Sequence, residues 1–276
     1  MIFDAHQHYW HPARGDYGWM PVDDPVLARV YGPADLAPDL AAAGVARTIL
    51  VQAAPTVAET EYMLGIADAT PSVAGVVGWV DFGDPASRAV LERLAAHPKF
   101  LGVRPMIQDI ADDRWMLRDD VQWVYPALVD LDLTFDALGF PRHLPVFAEL
   151  LARHPKMRVV IDHAMKPQIA AGLDGFEDWA EGMALLAAQT SACVKLSGLV
   201  TEASEQWSLD DLRPYVDHLI ACFGPSRMMW GSDWPVVRLR GEYGDWLAAA
   251  QALTGGLDKA AQAEVFGGTA ARFYRV

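Results

Sequence analysis

Eight short apolar runs, separated by longer segments of helical character, limit the possible folds of this chain more than any other feature. The segments between the runs are rich in Ala, Leu and Glu, and their apolar residues recur with the spacing of one helix face. Strands that are apolar along nearly their whole length are typical of a parallel sheet covered on both faces. The runs span residues 2–8, 47–53, 73–81, 100–106, 132–138, 157–164, 192–198 and 228–234.

Strands that alternate with helices in this number predict an α/β fold, a (β/α)₈ TIM barrel slightly elaborated by loops at its mouth. A chain of 276 residues, 52% of them hydrophobic, is a common size for such a barrel. No repeat, low-complexity tract or change of composition marks off a second domain. We therefore predict a single barrel domain over residues 1–276.

The charge balance and the cysteines narrow the class of protein further. Thirty-six acidic against 22 basic residues give a net charge of −14, which disfavours nucleic acid and anionic membranes as partners. The sequence contains no apolar run long enough for a membrane span and no basic start followed by an apolar stretch, so we expect a cytoplasmic protein. Cys193 and Cys222 have no metal-finger spacing and are predicted to be core residues.

The first run carries two histidines, His6 and His8, on one face. Because side chains alternate along a strand, both are expected to point into a barrel near its carboxyl end, where two neutral nitrogens can hold a metal ion or a water molecule. A pair this short also occurs by chance or in a half-buried edge strand. The alternation predicts one face made of Ile2, Asp4, His6 and His8 and another made of Phe3, Ala5 and Gln7.

Polar residues end most of the apolar runs. The carboxyl ends of the strands form the working face of a barrel, and buried polar groups there cost free energy unless they pair with one another or with a ligand. A single shared site would account for all of them. Beyond the two histidines of the first run, these residues are Gln52, Arg104, Asp136, Asp162, His163, Lys195, Ser197 and Asp233.

These residues and their contexts resemble the amidohydrolase superfamily, in particular its lactonase-like branch. The resemblance rests on the His6-x-His8 pair and on residues 161–167, 194–198, 230–235 and 267–274. It spans the whole chain. It implies an enzyme that hydrolyses a small-molecule sugar lactone, such as the lactones of L-fucose or L-rhamnose breakdown, or a dicarboxylate lactone from aromatic catabolism.

The resemblance also implies a metal site, with one departure from the family pattern. Binuclear members carry a bridging Lys or Glu after strand four and a further His after strand five, whereas Arg104 and Asp136 stand there in this chain. We therefore expect at most one Zn²⁺ or other divalent metal, which need not be required for catalysis. A hydrogen-bonded cluster that only orders water is the alternative. The expected ligands are His6, His8, His163 and Asp233.

Hydrolysis of an ester requires a base for the attacking water, a stabilised oxyanion and a proton for the leaving oxygen. Asp233 is the predicted base, because a carboxylate of ordinary pKa is ionised at neutral pH. Its alternative role is that of a turn residue before Pro235. His6, His8 and His163 are expected to act through a bound metal or as hydrogen-bond donors to the oxyanion.

Arg104 carries a rigid fork of donors that suits a carbonyl, a carboxylate or neighbouring hydroxyls, and it is predicted to be both catalytic and substrate-binding. The alternative is an ion pair with Asp136 or Asp162. Lys166 and Lys195 are weaker candidates, since lysines near loops are usually solvated or paired. The loop after strand four could lie near the substrate, but we expect it to form a solvated face. Its polar residues are Gln108, Asp109, Asp112 and Asp113.

Aromatic residues are concentrated in the predicted loops over the mouth. Their faces can pack against the C–H face of a small polyhydroxy lactone. They could equally seal the top of the barrel or form contacts within a homo-oligomer. These residues are Tyr9, Trp10, Tyr17, Trp19, Tyr31, Trp115, Trp207 and Trp234. With Arg104, the predicted substrate-binding set is Trp10, Gln52, Lys166, Ser197 and Trp234.

The leading hypothesis is therefore a hydrolase of sugar-acid lactones with Asp233 as general base. Two alternatives stay within the same superfamily, namely a metal-dependent non-oxidative decarboxylase and a lactonase for dicarboxylate lactones. The decarboxylases typically keep an additional metal-binding His, which strand five of this chain lacks. A non-catalytic protein that binds sugar acids is the alternative from another class.

Overall fold

The computed structural model describes residues 1–276, and its central element is one sheet of eight parallel strands that pair in sequence order. Each strand is followed by at least one helix, so consecutive strands are joined by crossovers on the outside of the sheet. The strands are β1 (Ile2–Gln7), β2 (Val45–Val51), β3 (Val73–Gly78), β4 (Phe100–Val103), β5 (Thr134–Ala137), β6 (Arg158–Ile161), β7 (Cys193–Leu196) and β8 (Met228–Trp230).

The sheet closes on itself between β8 and β1. The backbone N–H of His8 donates to the carbonyl of Trp234 at 2.7 Å, and the N–H of Asp233 donates to the carbonyl of His6 at 2.8 Å. Gln7 and Trp234 form a parallel bridge at the same place. The predicted (β/α)₈ barrel is confirmed, because the strands are parallel, consecutive and closed into a ring.

The strands end earlier than the apolar runs predicted. The predicted strand over 73–81 ends at Gly78, and the one over 157–164 ends at Ile161. After Ile161 the backbone leaves the ladder, because His163 and Ala164 adopt left-handed conformations with φ of 50° and 49°. The polar side chains of the mouth therefore lie largely on turns that follow the strands.

β1 does not alternate regularly, which corrects the predicted composition of its two faces. Its register against β2 shifts between Asp4 and Gln7, as at a β-bulge. Asp4 consequently turns away from the barrel interior and accepts a hydrogen bond from the Tyr243 hydroxyl at 3.1 Å. His6 and His8 still point inward. The β1 residues that pack in the apolar cluster enclosed by the barrel are Phe3 and Ala5.

The helices cover the outside of the barrel and bury their apolar faces in a core of 73 residues. Helix α2 begins where the Thr56 hydroxyl accepts a hydrogen bond from the N–H of Glu59, a typical N-cap. None of the helices is long and apolar enough to cross a membrane. They are α1 (Pro33–Ala43), α2 (Val57–Ala69), α3 (Ser87–Ala95), α4 (Val124–Asp130), α5 (Leu144–Arg153), α6 (Phe176–Gln189), α7 (Leu199–Glu202), α8 (Leu209–Phe223), α9 (Tyr243–Leu253), α10 (Lys259–Ala263) and α11 (Thr269–Tyr274).

The last helix, α11, closes the amino-terminal end of the barrel. Tyr274 is buried there and donates from its hydroxyl to Asp136 on β5 at 2.7 Å. Both cysteines are free, with Cys193 buried and Cys222 half-buried against the core, in agreement with the prediction. The closed lower end leaves the carboxyl ends of the strands as the open end of the barrel.

Candidate active site and metal centre

Three imidazoles surround one carboxylate oxygen at the carboxyl end of the barrel. The Oδ1 atom of Asp233 lies 3.3 Å from Nε2 of His8, 3.7 Å from Nε2 of His6 and 3.8 Å from Nε2 of His163. All four residues are buried. The structure thus brings together the four residues that the sequence placed at the ends of strands one, six and eight.

Asp4, which the sequence analysis did not single out as a site residue, holds the backbone next to Asp233 in place. Asp4 accepts hydrogen bonds from the N–H groups of Ser232 at 2.8 Å and His6 at 3.1 Å, so one carboxylate joins β1 to the segment after β8. Burial raises the pKa of Asp4 to about 6, although these hydrogen bonds partly oppose the rise. The β1 bulge, which turns Asp4 outward, therefore positions the neighbouring site.

Two glycines make room for the histidines. A Cβ atom at Gly198, where φ is +65°, would lie 2.6 Å from Nδ1 of His163. A Cβ at Gly231 would lie 2.7 Å from Cβ of His6. A side chain at Gly198 would displace the His163 imidazole, and one at Gly231 would push against the β1 backbone at His6. This explains why the chain has glycine directly after Ser197 and before Ser232.

We call the group formed by His6, His8, His163 and Asp233 the upper site. Its carboxylate and its imidazoles differ in charge. Burial would raise the pKa of Asp233, but His163, His8 and His6 together hold that pKa below its usual range. Burial lowers the pKa of His163 to about 4 and lowers the pKa of His8 as well. At neutral pH an ionised carboxylate therefore faces neutral imidazoles, as a general base or a metal ligand set requires.

The spacing of three of these ligand atoms, those of His6, His8 and Asp233, fits one divalent cation. Tetrahedral ligands at 2.0–2.1 Å from zinc are about 3.4 Å apart, and the Nε2 atoms of His6 and His8 are 3.2 Å apart. Nδ1 of His8 lies 2.7 Å from the Val51 carbonyl oxygen and donates its proton to it. Nε2 of His8 therefore keeps its lone pair for a metal ion. Their two imidazole nitrogens and one carboxylate oxygen suit zinc. His163 belongs to a second possible cluster with His6 and Asp162, so the structure does not place the four predicted ligands in one cluster.

Ser197 supports His163 from behind. Its Oγ atom lies 2.8 Å from Nδ1 of His163 and is buried. Because a hydroxyl can donate or accept, His163 can present either a lone pair or an N–H from Nε2 to the cavity. Ser197, predicted to bind substrate, is thus placed beneath the histidine and does not line the cavity.

A second charged cluster lies deeper in the barrel, and we call it the lower layer. The Lys195 ammonium lies 2.6 Å from Asp136 and 3.0 Å from Asp162, and all three side chains are fully buried. Arg104 lies 3.4 Å from the other oxygen of Asp162. Lys195, Arg104 and His6 outweigh the effect of burial and hold the pKa of Asp162 well below its usual range. The predicted alternative ion pair of Arg104 therefore forms with Asp162, while Asp136 pairs with Lys195.

Arg104 also reaches the mouth, where Gln52 fixes its position. The Gln52 amide donates to the Arg104 carbonyl at 2.5 Å, and the Arg104 guanidinium donates to the Gln52 carbonyl. A second guanidinium nitrogen lies 3.3 Å from Nε2 of His6. Arg104 lines the cavity above the histidines, whereas Gln52 does not.

The cavity above the upper site has a volume of about 170 Å³. Trp10 forms part of its wall, but the Trp10 indole N–H is already bonded to the carbonyls of Leu27 and Arg29. Trp234 does not line it, because its ring packs behind the site against Tyr9 and Tyr31. The lining residues are His8, Trp10, Trp19, Ala53, Arg104, Met106, Gln108, Leu138, His163, Lys166, Asp233 and Val236.

A larger cavity of about 660 Å³ adjoins the first and shares Trp19 and Met106 with it. Trp115, one of the predicted loop aromatics, lines this second cavity together with Trp79, which the sequence analysis placed inside a strand and did not consider. Trp207 lies elsewhere and donates to the Arg240 carbonyl at 2.7 Å. Some aromatics thus form cavity walls and others lie away from both cavities, and their contact with a substrate stays a prediction.

The four polar residues after β4, predicted to form a solvated face, also have different surroundings. Gln108 lines the smaller cavity and Asp109 the larger one. Asp112 is exposed, and Asp113 pairs with Arg142 at 2.8 Å. The loop is therefore solvated at Asp112 but contributes to both cavities through its first two polar residues.

Glu59 is a buried carboxylate near the mouth that the sequence analysis missed. It accepts hydrogen bonds from the N–H groups of Ala53 at 3.1 Å and Ala54 at 2.7 Å, and so holds the loop after β2. Burial raises its pKa to about 7, with the two amide groups opposing the rise. A signal was available, because Thr56 and Glu59 have the spacing of a capping box. In the structure the Glu59 carboxylate accepts from the loop that precedes the Thr56 N-cap, and not from the N–H of Thr56 itself.

The chain is similar over nearly its whole length to a protein family and to proteins with an assigned activity. The family model described as amidohydrolase matches residues 3–276. An L-fucono-1,5-lactonase of Burkholderia ambifaria is 47% identical over 277 residues, which cover 99% of this chain and 95% of the relative. An L-fucono-1,5-lactonase of Burkholderia multivorans is 36% identical, with 99% and 96% covered.

Solved structures agree with this placement. The crystal structure of an amidohydrolase from Burkholderia multivorans with bound zinc superposes with a TM-score of 0.93 at 35% identity, covering 100% of this chain and 99% of that one. A 5-carboxyvanillate decarboxylase from Sphingomonas paucimobilis, at 17% identity and a TM-score of 0.70 over 100% and 99% of the two chains, shares the fold. The chain belongs to the amidohydrolase family.

Proposed function

We propose that this protein hydrolyses the ester bond of a small sugar-acid lactone, with L-fucono-1,5-lactone as the first substrate to test. The observation that carries the proposal is the ionised Asp233, which borders the 170 Å³ cavity and faces imidazoles that are neutral at pH 7. The full-length similarity to two L-fucono-1,5-lactonases supports the choice of substrate. Such a reaction belongs to carbohydrate catabolism.

Asp233 acts as the base that activates water. It removes a proton from the water as the water oxygen attacks the lactone carbonyl carbon, and a tetrahedral oxyanion forms. Arg104, which lines the cavity, stabilises the charge on that oxygen, and His163 can donate from Nε2 when Ser197 donates to its Nδ1. The ring C–O bond then breaks, and Asp233 returns its proton to the leaving oxygen.

The residues that would hold a divalent metal are His6, His8 and Asp233, with His163, whose Nε2 lies 3.8 Å from Oδ1 of Asp233, beside them. When bound, the metal would supply a Lewis acid for the carbonyl oxygen and lower the pKa of a bound water. Zinc is the first candidate, because the donor set suits it and a related amidohydrolase structure contains it.

The walls of the cavity suit a small polyhydroxy ring. Trp10 and Trp19 offer aromatic faces, while Gln108 and Lys166 offer polar groups on the same cavity. Lys166 lies 3.9 Å from Glu202, so part of its charge is already compensated. Arg104 is paired with Asp162 at 3.4 Å. Both cations of the cavity wall therefore already have a carboxylate partner, which favours a neutral lactone over a dicarboxylate.

The test is a panel of aldonolactones with the purified protein, followed by a pH indicator because each ring opening releases a carboxylic acid. Each lactone is assayed as prepared, after treatment with a chelator and after addition of zinc. We expect L-fucono-1,5-lactone to be opened faster than its stereoisomers. Tight lactone binding without acid release would contradict the proposal, as would release of CO₂ from aromatic acids without lactone hydrolysis.

A further inference from the structure

The larger cavity beside the upper site takes no part in the proposed hydrolysis. Its volume is about 660 Å³, whereas the cavity that Asp233 borders has about 170 Å³. Sites for small molecules usually enclose about 300–1,000 Å³, so the larger cavity has the size of a ligand site and the smaller one does not reach it. Trp19 and Met106 line both cavities and form the boundary that one ligand would cross to occupy them together.

Four aromatic side chains line the larger cavity, and contacts with the barrel hold them in place. The Trp19 indole N–H donates to a carbonyl of the loop after β2 at 2.6 Å. Trp79 directly follows β3, and its backbone N–H donates to the Thr60 hydroxyl at 2.8 Å. The Trp115 ring stacks on the buried ring of Phe82, with centroids 5.6 Å apart. Walls that are fixed before binding cost a ligand little ordering entropy.

The charged side chains of the larger cavity are all carboxylates. Asp16 is already paired with Arg14 at 2.7 Å. Asp81 and Asp109 are exposed, and each accepts one hydrogen bond from the protein, which leaves its second oxygen free. Because the lining contains no Lys, Arg or His, an anionic ligand would be repelled, whereas the hydroxyl groups of a neutral ligand find acceptors.

Aromatic faces and free carboxylate oxygens together suit a neutral sugar ring. The C–H face of such a ring packs against an aromatic side chain, while its hydroxyls donate to acceptors around it. A small cation would meet solvated carboxylates, with which ion pairs contribute little. We infer that the larger cavity is a second sugar subsite, and that the lactone ring over Asp233 is one end of a substrate with at least one further neutral sugar ring. The inference rests on the proposed function for the lactone end, and on the larger cavity alone for the sugar end.

The first test measures binding to the larger cavity without any reaction. The indole N–H groups of the ten tryptophans are labelled with nitrogen-15 and followed by NMR, and single Trp→Phe variants assign the signals. The probes are cellobiose, lactose and melibiose, three neutral disaccharides of different linkage. We expect them to shift the signals of Trp79 and Trp115. The signal of Trp207, which lies away from both cavities, should stay unchanged.

Tetramethylammonium is the competing probe in the same titration, because aromatic side chains also bind such cations. Shifts of Trp79 and Trp115 with this cation and with none of the three disaccharides would overturn the inference. An absence of shifts with all four probes would overturn it as well.

The second test asks whether one substrate occupies both cavities. A galactosyl group on O2, O3 or O4 of L-fucono-1,5-lactone gives three substrates with the same lactone end as the parent. We expect at least one of them to have a KM about 2- to 10-fold below that of the parent, the range of one good aromatic contact. Trp115→Ala should remove this gain, and Trp207→Ala, the matched control, should keep it. A KM equal to or above that of the parent for all three substrates would overturn the inference.

The two experiments separate a failure of the sugar subsite from a failure of the proposed function. If the parent lactone is not hydrolysed, the proposed function fails, and the indole signals of Trp79 and Trp115 still decide whether the larger cavity binds a sugar. If the parent lactone is hydrolysed and no disaccharide shifts these two signals, the hydrolase stands and the sugar subsite is refuted.

Discussion

The two charged layers inside the barrel differ in whether their charges are matched. In the lower layer Lys195 and Arg104 lie within 3.4 Å of the carboxylates of Asp136 and Asp162, so two cations balance two anions. In the upper site Asp233 faces only imidazoles whose pKa values are lowered by burial. Buried charges usually have ionic partners. An ionised carboxylate without a cation is available for a proton, a metal or a substrate.

The difference separates stability from chemistry. The lower layer is closed from below by the Tyr274 hydroxyl at 2.7 Å from Asp136, and Arg104 is its one residue that borders the cavity. The upper site borders the cavity through His8, His163 and Asp233. Substitutions of Lys195, Asp136 or Asp162 should therefore act mainly on folding, and substitutions around Asp233 mainly on the rate.

Lys195→Met should have the largest effect on stability. It leaves Asp136 and Asp162 buried with one cation fewer, and breaking a buried ion pair on one side costs about 3–5 kcal/mol. We expect a loss of that size in the free energy of unfolding, measured with urea at pH 7. Adding Asp136→Asn should restore most of it, whereas a loss below about 1 kcal/mol in the single variant would mean that the lower layer does not stabilise the fold.

Glu59 tests a buried carboxylate outside both layers. Burial raises its pKa from 4.5 to about 7, so the folded state favours the protonated form. This contribution to stability is complete below pH 4.5 and is lost as the pH rises through 7. Glu59→Gln stays neutral, and the free energy of unfolding of the native chain should therefore fall relative to this variant by roughly 3 kcal/mol between pH 4.5 and 8. Parallel pH profiles for the two proteins would show that Glu59 has an ordinary pKa.

Ser197→Ala sharpens the comparison at the upper site. The variant removes the partner of His163 Nδ1, which lies 2.8 Å away, and leaves the imidazole free to rotate or change tautomer. We expect kcat for lactone hydrolysis to fall about 10- to 100-fold, with little change in thermal unfolding. Ser191→Ala, an exposed serine before the same strand, is the matched control. An equal loss in both variants, or none in either, would contradict the role of Ser197.

Much of the fold and part of the site follow from the sequence. The apolar runs predict the barrel because each strand is buried on both sides, and the convergence of His6, His8, His163 and Asp233 follows from the rule that strand ends share one face. The bulge in β1 could not be predicted, since alternation alone would place Asp4 inside the barrel. Its outward turn depends on contacts with Ser232 and Tyr243, far away in the chain.

The sequence also could not show which groups pair with the buried charges. Lys195 was predicted to be solvated or paired, as lysines near loops usually are, and only the packed barrel shows that it is paired and that its partners are Asp136 and Asp162. Trp234 was predicted to contact substrate from its position near Asp233. In the structure its ring packs against Tyr9 and Tyr31, because side chains of neighbouring residues point in different directions.

The central claim is that Asp233 of the upper site is the base for water, and its most direct test is kcat of Asp233→Asn with L-fucono-1,5-lactone. Asp112→Asn, which changes an exposed aspartate in the loop after β4, is the control. We predict that Asp233→Asn keeps its fold by circular dichroism while kcat falls at least about 100-fold, and that the control retains full activity. A folded Asp233→Asn protein with kcat close to that of the native chain would contradict the account.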